Sequence, residues 1–365
     1  MPSFQLTRVG LPVITAMALL VAAGAVSSAE RRDRGWNYPN QLERLVEPDP
    51  ILADFPDFVE PIRELQRFEA PALVMDPGAD LEVRAWRFSY NARGIIEFEN
   101  KINASETALV VVHPWGVDDG QGWRSPEPAG VALFCTPEKN RIYHRHIEQV
   151  VNPFLKRLRG NVRLVAYSLP GDEDPIRRKL YRSIHSRPSE IDRAGGARLL
   201  SEKLANFDYT GQPLDDLLKL DQRLPVVDYF RQFSGLDSGA KFNHAGFWDL
   251  PTPVAAGIDV DAEDVVIYDQ QGYPAFRDFL RSQRIRHVLL AGYATDMCLC
   301  STTAGYENLS PDFNVFIVGD ATLATFPAAD TPRFATTTAL CNASLDHLIT
   351  QVSWVTMRSR ARAGE

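Results

Sequence analysis

The sequence has few cysteines and lacks the short patterns by which metal sites are recognised. Four cysteines in 365 residues are too few for a disulfide-stapled scaffold of this size. Because there is no C-x-x-C pair, no H-E-x-x-H run and no Asp-rich calcium loop, the sequence predicts neither a metal nor a cofactor. Long basic runs are also missing and the net charge is −8, which argues against nucleic-acid binding and favours a small-molecule substrate as partner.

The first 29 residues differ in character from the rest. Arg8 precedes an uncharged apolar stretch at 11–26, and Ser27-Ser28-Ala29 follows as a small-residue cleavage site. The stretch is short for a bilayer span, which needs about 20 residues. We therefore predict a signal peptide at 1–29 and a secreted or periplasmic protein with no stable membrane span after cleavage. The alternative is an uncleaved anchor helix.

Short apolar runs alternate with helical or loop segments through the remaining chain. This alternation predicts an α/β fold, with a parallel sheet covered on both faces. The buried strands are expected at 108–113, 162–167, 265–268, 288–291 and 315–318. They belong to a predicted domain at 106–360, with an insertion at 169–263 that is expected to shape a pocket.

Two further parts of the chain carry local predictions. An N-terminal extension at 30–105 contains two strand-like runs, 81–88 and 95–98, which predict a β-hairpin. A helix is expected to begin at Thr136-Pro137 and to kink at Pro153. Within this helix His144 and His146 lie two residues apart and point to different faces, so we expect both to be solvated.

The segment from Gly292 to Leu299 carries the chemistry. It follows a predicted strand directly and opens a helix, which Thr295 or Asp296 is expected to cap. Cys298 then lies in the first turn of this helix, over the positive end of the helix dipole. That place favours the thiolate, the form that attacks a carbonyl carbon. The backbone N–H groups of Ala294 and Cys298 could receive the oxygen that becomes negative during acyl transfer.

This turn resembles the thiol-hydrolase signature of the isochorismatase-like superfamily, which includes nicotinamidases, N-carbamoylsarcosine amidohydrolases and ureidoacrylate amidohydrolases. Tyr273-Pro274-Ala275-Phe276 and Val318-Gly319-Asp320-Ala321 extend the resemblance, which runs from 108 to about 357. It implies a three-layer α/β/α sandwich with a six-stranded, mostly parallel sheet, and frequent homo-oligomers. It also implies a cis peptide between Tyr293 and Ala294, and a catalytic Asp, Lys and Cys.

Only the cysteine of that catalytic set is present, as Cys298. His113 stands where the family has its Asp, and Gln270 stands where it has its Lys. An imidazole can deprotonate a thiol and then protonate a leaving amine, so His113 and Cys298 can form a nucleophile and base pair. Asp269 could orient the imidazole, and so could Asp118 or Asp119.

Two functions stay open on this evidence. The first is a secreted cysteine hydrolase that acts on a small amide, ureido or related acyl substrate, with Gln270, Trp115 and Tyr293 as expected substrate-binding residues. The second is a non-catalytic small-molecule or protein-binding member of the same fold, in which His113 is a hydrogen-bonded structural residue.

Overall fold

A computed structural model of the protein describes residues 41–115, 137–206, 221–223, 250–324 and 350–357. The elements below lie in one compact unit that begins at Leu42. The predicted signal peptide, Asp118 and Asp119 lie outside the described residues. Within the described part of the chain, no helix has both the length and the apolar character that a membrane span requires.

Eleven strands are present in the described residues. They are β1 Glu43–Arg44, β2 Arg67–Ala70, β3 Leu81–Ser89, β4 Gly94–Ile102, β5 Thr107–Val112, β6 Leu164–Leu169, β7 Arg182–Ser183, β8 Val265–Tyr268, β9 His287–Tyr293, β10 Asn314–Leu323 and β11 Gln351–Met357. The α-helices are α1 Pro137–His146, α2 Asn152–Leu158, α3 Arg177–Leu180, α4 Glu190–Ala205, α5 Tyr273–Ser282, α6 Cys298–Ser301 and α7 Tyr306–Leu309. A π-helical turn, Ile147–Val151, joins α1 to α2, and 3-10 turns lie at Ala104–Glu106 and Asp269–Gln271.

All eleven strands join one sheet in the order β1-β2-β4-β3-β11-β10-β9-β5-β6-β8-β7. From β11 to β7 every neighbouring pair is parallel, which confirms the α/β class and the mostly parallel sheet. The predicted number of six strands is wrong. The predicted hairpin exists as β3 and β4, but β3 pairs antiparallel with β11, so the N-terminal strands continue the same sheet.

The central strands are buried on both faces, as their continuous apolar runs predict. In β5, Leu109 and Val111 face one core cluster, to which α1 and α2 contribute. Ala108 and Val110 face a second cluster, to which α5 contributes. Helices therefore cover both faces of the sheet, and residues that follow the strands are left at its carboxyl edge.

The helix predicted after Thr136-Pro137 is interrupted rather than continuous. A π-helical turn precedes Pro153, whose ring would clash with the carbonyl four residues earlier in an unbroken α-helix. The predicted exposure of His146 is wrong, because its ring is fully buried and packs edge-on against Phe58 at 5.1 Å. His144, on the other face, is only partly buried and pairs with Glu148 at 3.3 Å.

Candidate active site

The cysteine turn lies at the carboxyl end of β9, directly after a cis peptide between Tyr293 and Ala294, as the resemblance implies. The Ala294 carbonyl accepts hydrogen bonds from the N–H groups of Met297 and Leu299, at 3.0 and 3.1 Å. These bonds wrap the chain around one oxygen and begin α6 at Cys298. The Cys298 side chain is half-buried and its thiol is free.

The predicted cap of this helix is wrong. Met297 occupies the N-cap position and makes no side-chain capping bond. The Thr295 hydroxyl instead hydrogen-bonds that of Thr322 on β10 at 2.7 Å, and the Thr295 N–H donates to the Leu323 carbonyl. Thr295 therefore fastens the turn to the neighbouring strand. Among the described residues, the Cys298 N–H has no hydrogen-bonded acceptor.

Gly292 brings the cysteine turn close to the end of β5. Its φ is +106°, and a Cβ at this position would lie 2.1 Å from the Val112 carbonyl oxygen. Only a residue without a side chain fits both the backbone angle and this approach. Because His113 follows Val112, the same approach brings the chain at His113 towards the turn that carries Cys298.

His113 is held in the left-handed backbone region, with φ +44°. Its N–H donates to the Ser168 carbonyl at 3.0 Å, and its own carbonyl accepts from Trp115 at 2.9 Å. The side chain is buried, and its Nε2 lies 2.8 Å from Oδ2 of Asp269. Among the described residues, Asp269 is thus the acid that contacts His113.

The charge state of His113 is set by burial and by two neighbouring groups, Asp269 and Cys298. Burial by itself lowers the pKa of the imidazole, but hydrogen bonds to Asp269 and Cys298 and the charges of both groups outweigh it. The net effect raises the pKa of His113 from 6.5 to about 9. His113 is therefore an imidazolium at neutral pH, and both Asp269 and the Cys298 sulfur interact with it.

Asp269 lies in the 3-10 turn after β8, at the same edge of the sheet. Two bonds hold this turn: the Thr303 hydroxyl donates to the Asp269 carbonyl at 2.8 Å, and the Gln270 N–H donates to the Gly171 carbonyl at 3.0 Å. Oδ1 of Asp269 is buried and has no donor among the described residues. The Gln270 side chain is exposed beside this carboxylate.

Two of the expected substrate-binding side chains lie in the core. Trp115 is 5% exposed and Tyr293 is 4% exposed, and both belong to the cluster on the face of α1. Cys298 packs against the other cluster, on the face of α5. The structure therefore places His113 in contact with Asp269 and Cys298 in the turn after the neighbouring strand β9, whereas the side chains of Trp115 and Tyr293 lie on the opposite face from Cys298.

Sequence reasoning missed the contact that holds Tyr293. Its hydroxyl lies 2.6 Å from Nδ1 of His146, its ring stacks on Tyr143 at 4.6 Å, and Nε2 of His146 lies 2.7 Å from the Asp320 carbonyl. Since a carbonyl only accepts, Nε2 carries the proton and Nδ1 accepts from Tyr293. Burial lowers the pKa of His146 to about 4, which agrees with this neutral tautomer. The sequence signal was the helical spacing of Tyr143, His146 and Val150.

One further cluster could in principle hold a metal ion. Asp76, Glu106 and His287 bring ligand atoms within 4.8 Å of one another at the start of β9, where the strand has its amino end. Arg286 already binds both carboxylates, at 3.0 and 2.8 Å, and Nε2 of His287 lies 2.8 Å from Asp76. The carboxylates are thus already paired with a cation, and the cluster does not fit a metal site.

Comparison with known proteins gives only distant structural neighbours. Neither a protein-family model nor a curated protein matches this chain. Among solved structures it is similar to a cysteine hydrolase from Pseudomonas syringae, with 16% identity, a TM-score of 0.32 and coverage of 67% of this chain and 87% of that one. It is also similar to the nicotinamidase of Bacillus subtilis, with 12% identity, a TM-score of 0.33 and coverage of 68% of this chain and 99% of that one. A third neighbour is an isochorismatase-like hydrolase from Alkaliphilus metalliredigens, with 9% identity, a TM-score of 0.33 and coverage of 66% of this chain and 91% of that one.

Each of these neighbours is less than 20% identical to this chain and has a TM-score below 0.5.

Proposed function

We propose that this chain is a secreted or periplasmic cysteine hydrolase that acts on a small amide, ureido or related acyl substrate through Cys298. The observation that carries the proposal is the buried His113, which contacts Asp269 at 2.8 Å and interacts with the Cys298 sulfur. A nucleophile, a base and an acid that orients the base form a complete set for acyl transfer.

The resting site in this proposal is an ion pair. Because its pKa is raised to about 9, His113 holds a proton at neutral pH, and its Nε2 contacts Asp269. In the proposed pair the nucleophile is the thiolate of Cys298, and the imidazolium supplies its counter-charge. Asp269 thus balances the charge of His113, the group beside the nucleophile. A lysine would have the same role beside a carboxylate base.

Attack by the thiolate forms a bond between Sγ of Cys298 and the substrate carbonyl carbon, and the carbonyl electron pair moves to oxygen. The N–H groups of Ala294 and Cys298 are the proposed donors to this oxyanion, and the unused N–H of Cys298 supports that role. When the tetrahedral intermediate collapses, the C–N bond breaks and the leaving nitrogen takes the proton of His113. An acyl-thioester and a neutral imidazole remain.

Hydrolysis of the thioester returns the site to its starting state. Neutral His113 removes a proton from water, and the resulting hydroxide adds to the acyl carbon. Collapse then breaks the C–S bond, releases the carboxylic or carbamic acid and restores the thiolate beside the imidazolium.

The test is intact-mass detection of a covalent adduct after incubation with a panel of small amides, ureides and an electrophile such as iodoacetamide. We expect an adduct on Cys298 in the wild type and none at this position in Cys298→Ala. Cys300→Ser is the matched control, because the Cys300 thiol is buried and donates to the Thr295 carbonyl at 3.0 Å, a bond that a serine hydroxyl can keep. Equal labelling in the wild type and Cys298→Ala would contradict the proposal.

The second candidate, a non-catalytic binding protein, is supported by the absence of the family's Asp and Lys at His113 and Gln270. The same experiment separates the two. Binding of panel compounds with no acyl adduct, no product and no effect of Cys298→Ala on affinity would favour the binding protein.

A further inference from the structure

Arg177 carries a guanidinium that is buried among the loops at the carboxyl edge of the sheet. The residue is 4% exposed and begins α3. Its Nε binds the Asp174 carboxylate, and its terminal nitrogens donate to the carbonyls of Asp172, of Pro170 at 2.9 Å and of Thr252 at 3.4 Å. A buried charge is costly unless it is paired and hydrogen-bonded, so these acceptors hold the guanidinium in place.

The first link from Arg177 leads to the turn that carries Asp269. The two neighbours of Gly171 give their carbonyls to the guanidinium, while the Gly171 carbonyl accepts from the Gln270 N–H at 3.0 Å. Gly171 has a φ of +79°, a backbone region that glycine adopts readily. Because Gln270 follows Asp269 directly, this link fixes one side of the turn.

The second link is the aromatic ring of Tyr268. The guanidinium carbon of Arg177 lies 4.6 Å from the centroid of this ring, and the residue is fully buried. A cation over the face of an aromatic ring is attracted to it. Since Tyr268 ends β8 and precedes Asp269, the stack fixes the turn at the point where it leaves the strand.

The third link leads to the chain beside His113. Thr252, whose carbonyl accepts from Arg177, lies three residues before Ala255. The Ala255 N–H donates to the Pro114 carbonyl at 2.8 Å, and Pro114 follows His113 directly. The guanidinium thus joins the segments on which both members of the acid and imidazole pair are carried.

We propose that Arg177 is a positioning residue that holds Asp269 in contact with His113. The neighbouring groups that act on the titration of His113 are Asp269 and Cys298, so Arg177 acts through the placement of Asp269. The inference rests on the proposed function in treating Asp269 and His113 as catalytic partners, but its test reads His113 directly and needs no substrate. A missing adduct on Cys298 would therefore refute the hydrolase and leave this inference standing.

The test is an NMR titration of the His113 ring signal, assigned with His113→Asn, in the wild type and in Arg177→Lys. Lysine keeps the positive charge but has one nitrogen where arginine has three, so it cannot hold all the acceptors. We expect the midpoint, about 9 in the wild type, to fall by about 1 unit or more as the contact with Asp269 loosens. Arg178→Lys is the matched control, because the Arg178 side chain is 60% exposed, and it should titrate as the wild type does. An unchanged midpoint in Arg177→Lys, or an equal fall in the control, would overturn the inference.

Two further variants separate positioning from a direct effect of the charge. Arg177→Met removes the charge, and a direct effect would raise the His113 midpoint because a nearby cation disfavours the imidazolium, whereas lost positioning lowers it. In the Asp269→Asn background, Arg177→Lys should have no further effect, since no carboxylate is left to place. A higher midpoint in Arg177→Met, or an undiminished effect of Arg177→Lys in that background, would contradict the inference.

Gly171→Ala perturbs the first link with no change of charge and keeps Arg177, so the inference stays testable if neither Arg177 variant folds. Its φ of +79° is strained for alanine, and the carbonyl that accepts from Gln270 should therefore shift. We expect the His113 midpoint to fall in Gly171→Ala. Gly160→Ala, with φ +84° and open space around it, carries the same strain elsewhere and should leave the midpoint unchanged. Equal midpoints in the two glycine variants would overturn the inference.

Discussion

His113 is expected to keep its ring proton up to about pH 9 because its interactions with Asp269 and Cys298 outweigh the effect of burial on its pKa. The rise from 6.5 corresponds to about 3 kcal/mol at 1.4 kcal/mol per pH unit, and it remains after burial has acted in the opposite direction. Asp269 and Cys298 together must therefore stabilise the imidazolium by more than this. Removal of either partner should lower the pKa of His113 by roughly 1 to 3 units.

The measurement is an NMR titration of the histidine ring signals in the wild type, Asp269→Asn, Cys298→Ala and the double variant. The chain has seven histidines, and His113→Asn assigns the signal of interest. Each single variant should titrate below the wild type, and the double variant should titrate below 6.5, because burial alone remains. If Cys298→Ala leaves the midpoint near pH 9, the sulfur does not interact with the imidazole and the proposed ion pair is refuted.

The same titration has a counterpart in stability. Since the folded-state pKa is raised, the imidazolium stabilises the fold fully below pH 6.5, and this contribution is lost as the pH rises through about 9. The difference in free energy of unfolding between the wild type and His113→Asn should therefore shrink by about 3 kcal/mol as the pH rises from 6.5 to above 9. Urea unfolding at pH 6.5 and at pH 9.5 measures the difference, and a constant gap would contradict the assignment.

Three other perturbations have defined outcomes. Burial lowers the pKa of His146 to about 4, so the unfolded chain takes up the proton first and the fold should lose stability as the pH falls from 6.5 to 4. In urea unfolding, the stability advantage of the wild type over His146→Gln should shrink by about 3 kcal/mol across this range. An unchanged difference between the two proteins would refute the prediction. Gly292→Ala should lower the free energy of unfolding by more than about 4 kcal/mol, because its Cβ would overlap the Val112 carbonyl. Gly195→Ala in α4, where the space around the new Cβ is open, should raise it by up to about 1 kcal/mol. Equal effects of the two variants in thermal unfolding would contradict the close approach at Gly292. Ser189→Ala removes the N-cap of the capping box at the start of α4 and should cost about 1 kcal/mol, which urea unfolding against the wild type can detect or exclude.

The central strands could be predicted from the sequence because burial on both faces leaves a continuous apolar run. β5 and β8 occupy nearly the positions expected from the runs at 108–113 and 265–268. β11 could not be found in this way, because the polar residues Gln351, Ser353 and Thr356 interrupt its apolar run. The predicted N-terminal hairpin is present as β3 and β4, but its pairing with β11 could not be predicted for the same reason.

The site was predictable in its composition but not in its geometry. A cysteine after a buried strand and a polar residue after another strand predict convergence at one sheet edge, and His113 and the Cys298 turn do follow neighbouring parallel strands, β5 and β9. The sequence left three candidate acids for His113, because loop residues have no periodicity that fixes their direction. The left-handed backbone of His113 and the 3-10 turn of Asp269 fix that direction, and both depend on contacts with distant strands.

The pairing of β3 with β11 has a consequence for how the protein is made. Met357 lies opposite Leu81 in this pair, so the sheet cannot close until the chain has been made as far as β11. Until then the hairpin exposes an unpaired edge, and contacts between such distant segments form slowly. The antiparallel pair of β3 and β11 is therefore expected to be among the last parts of the sheet to form.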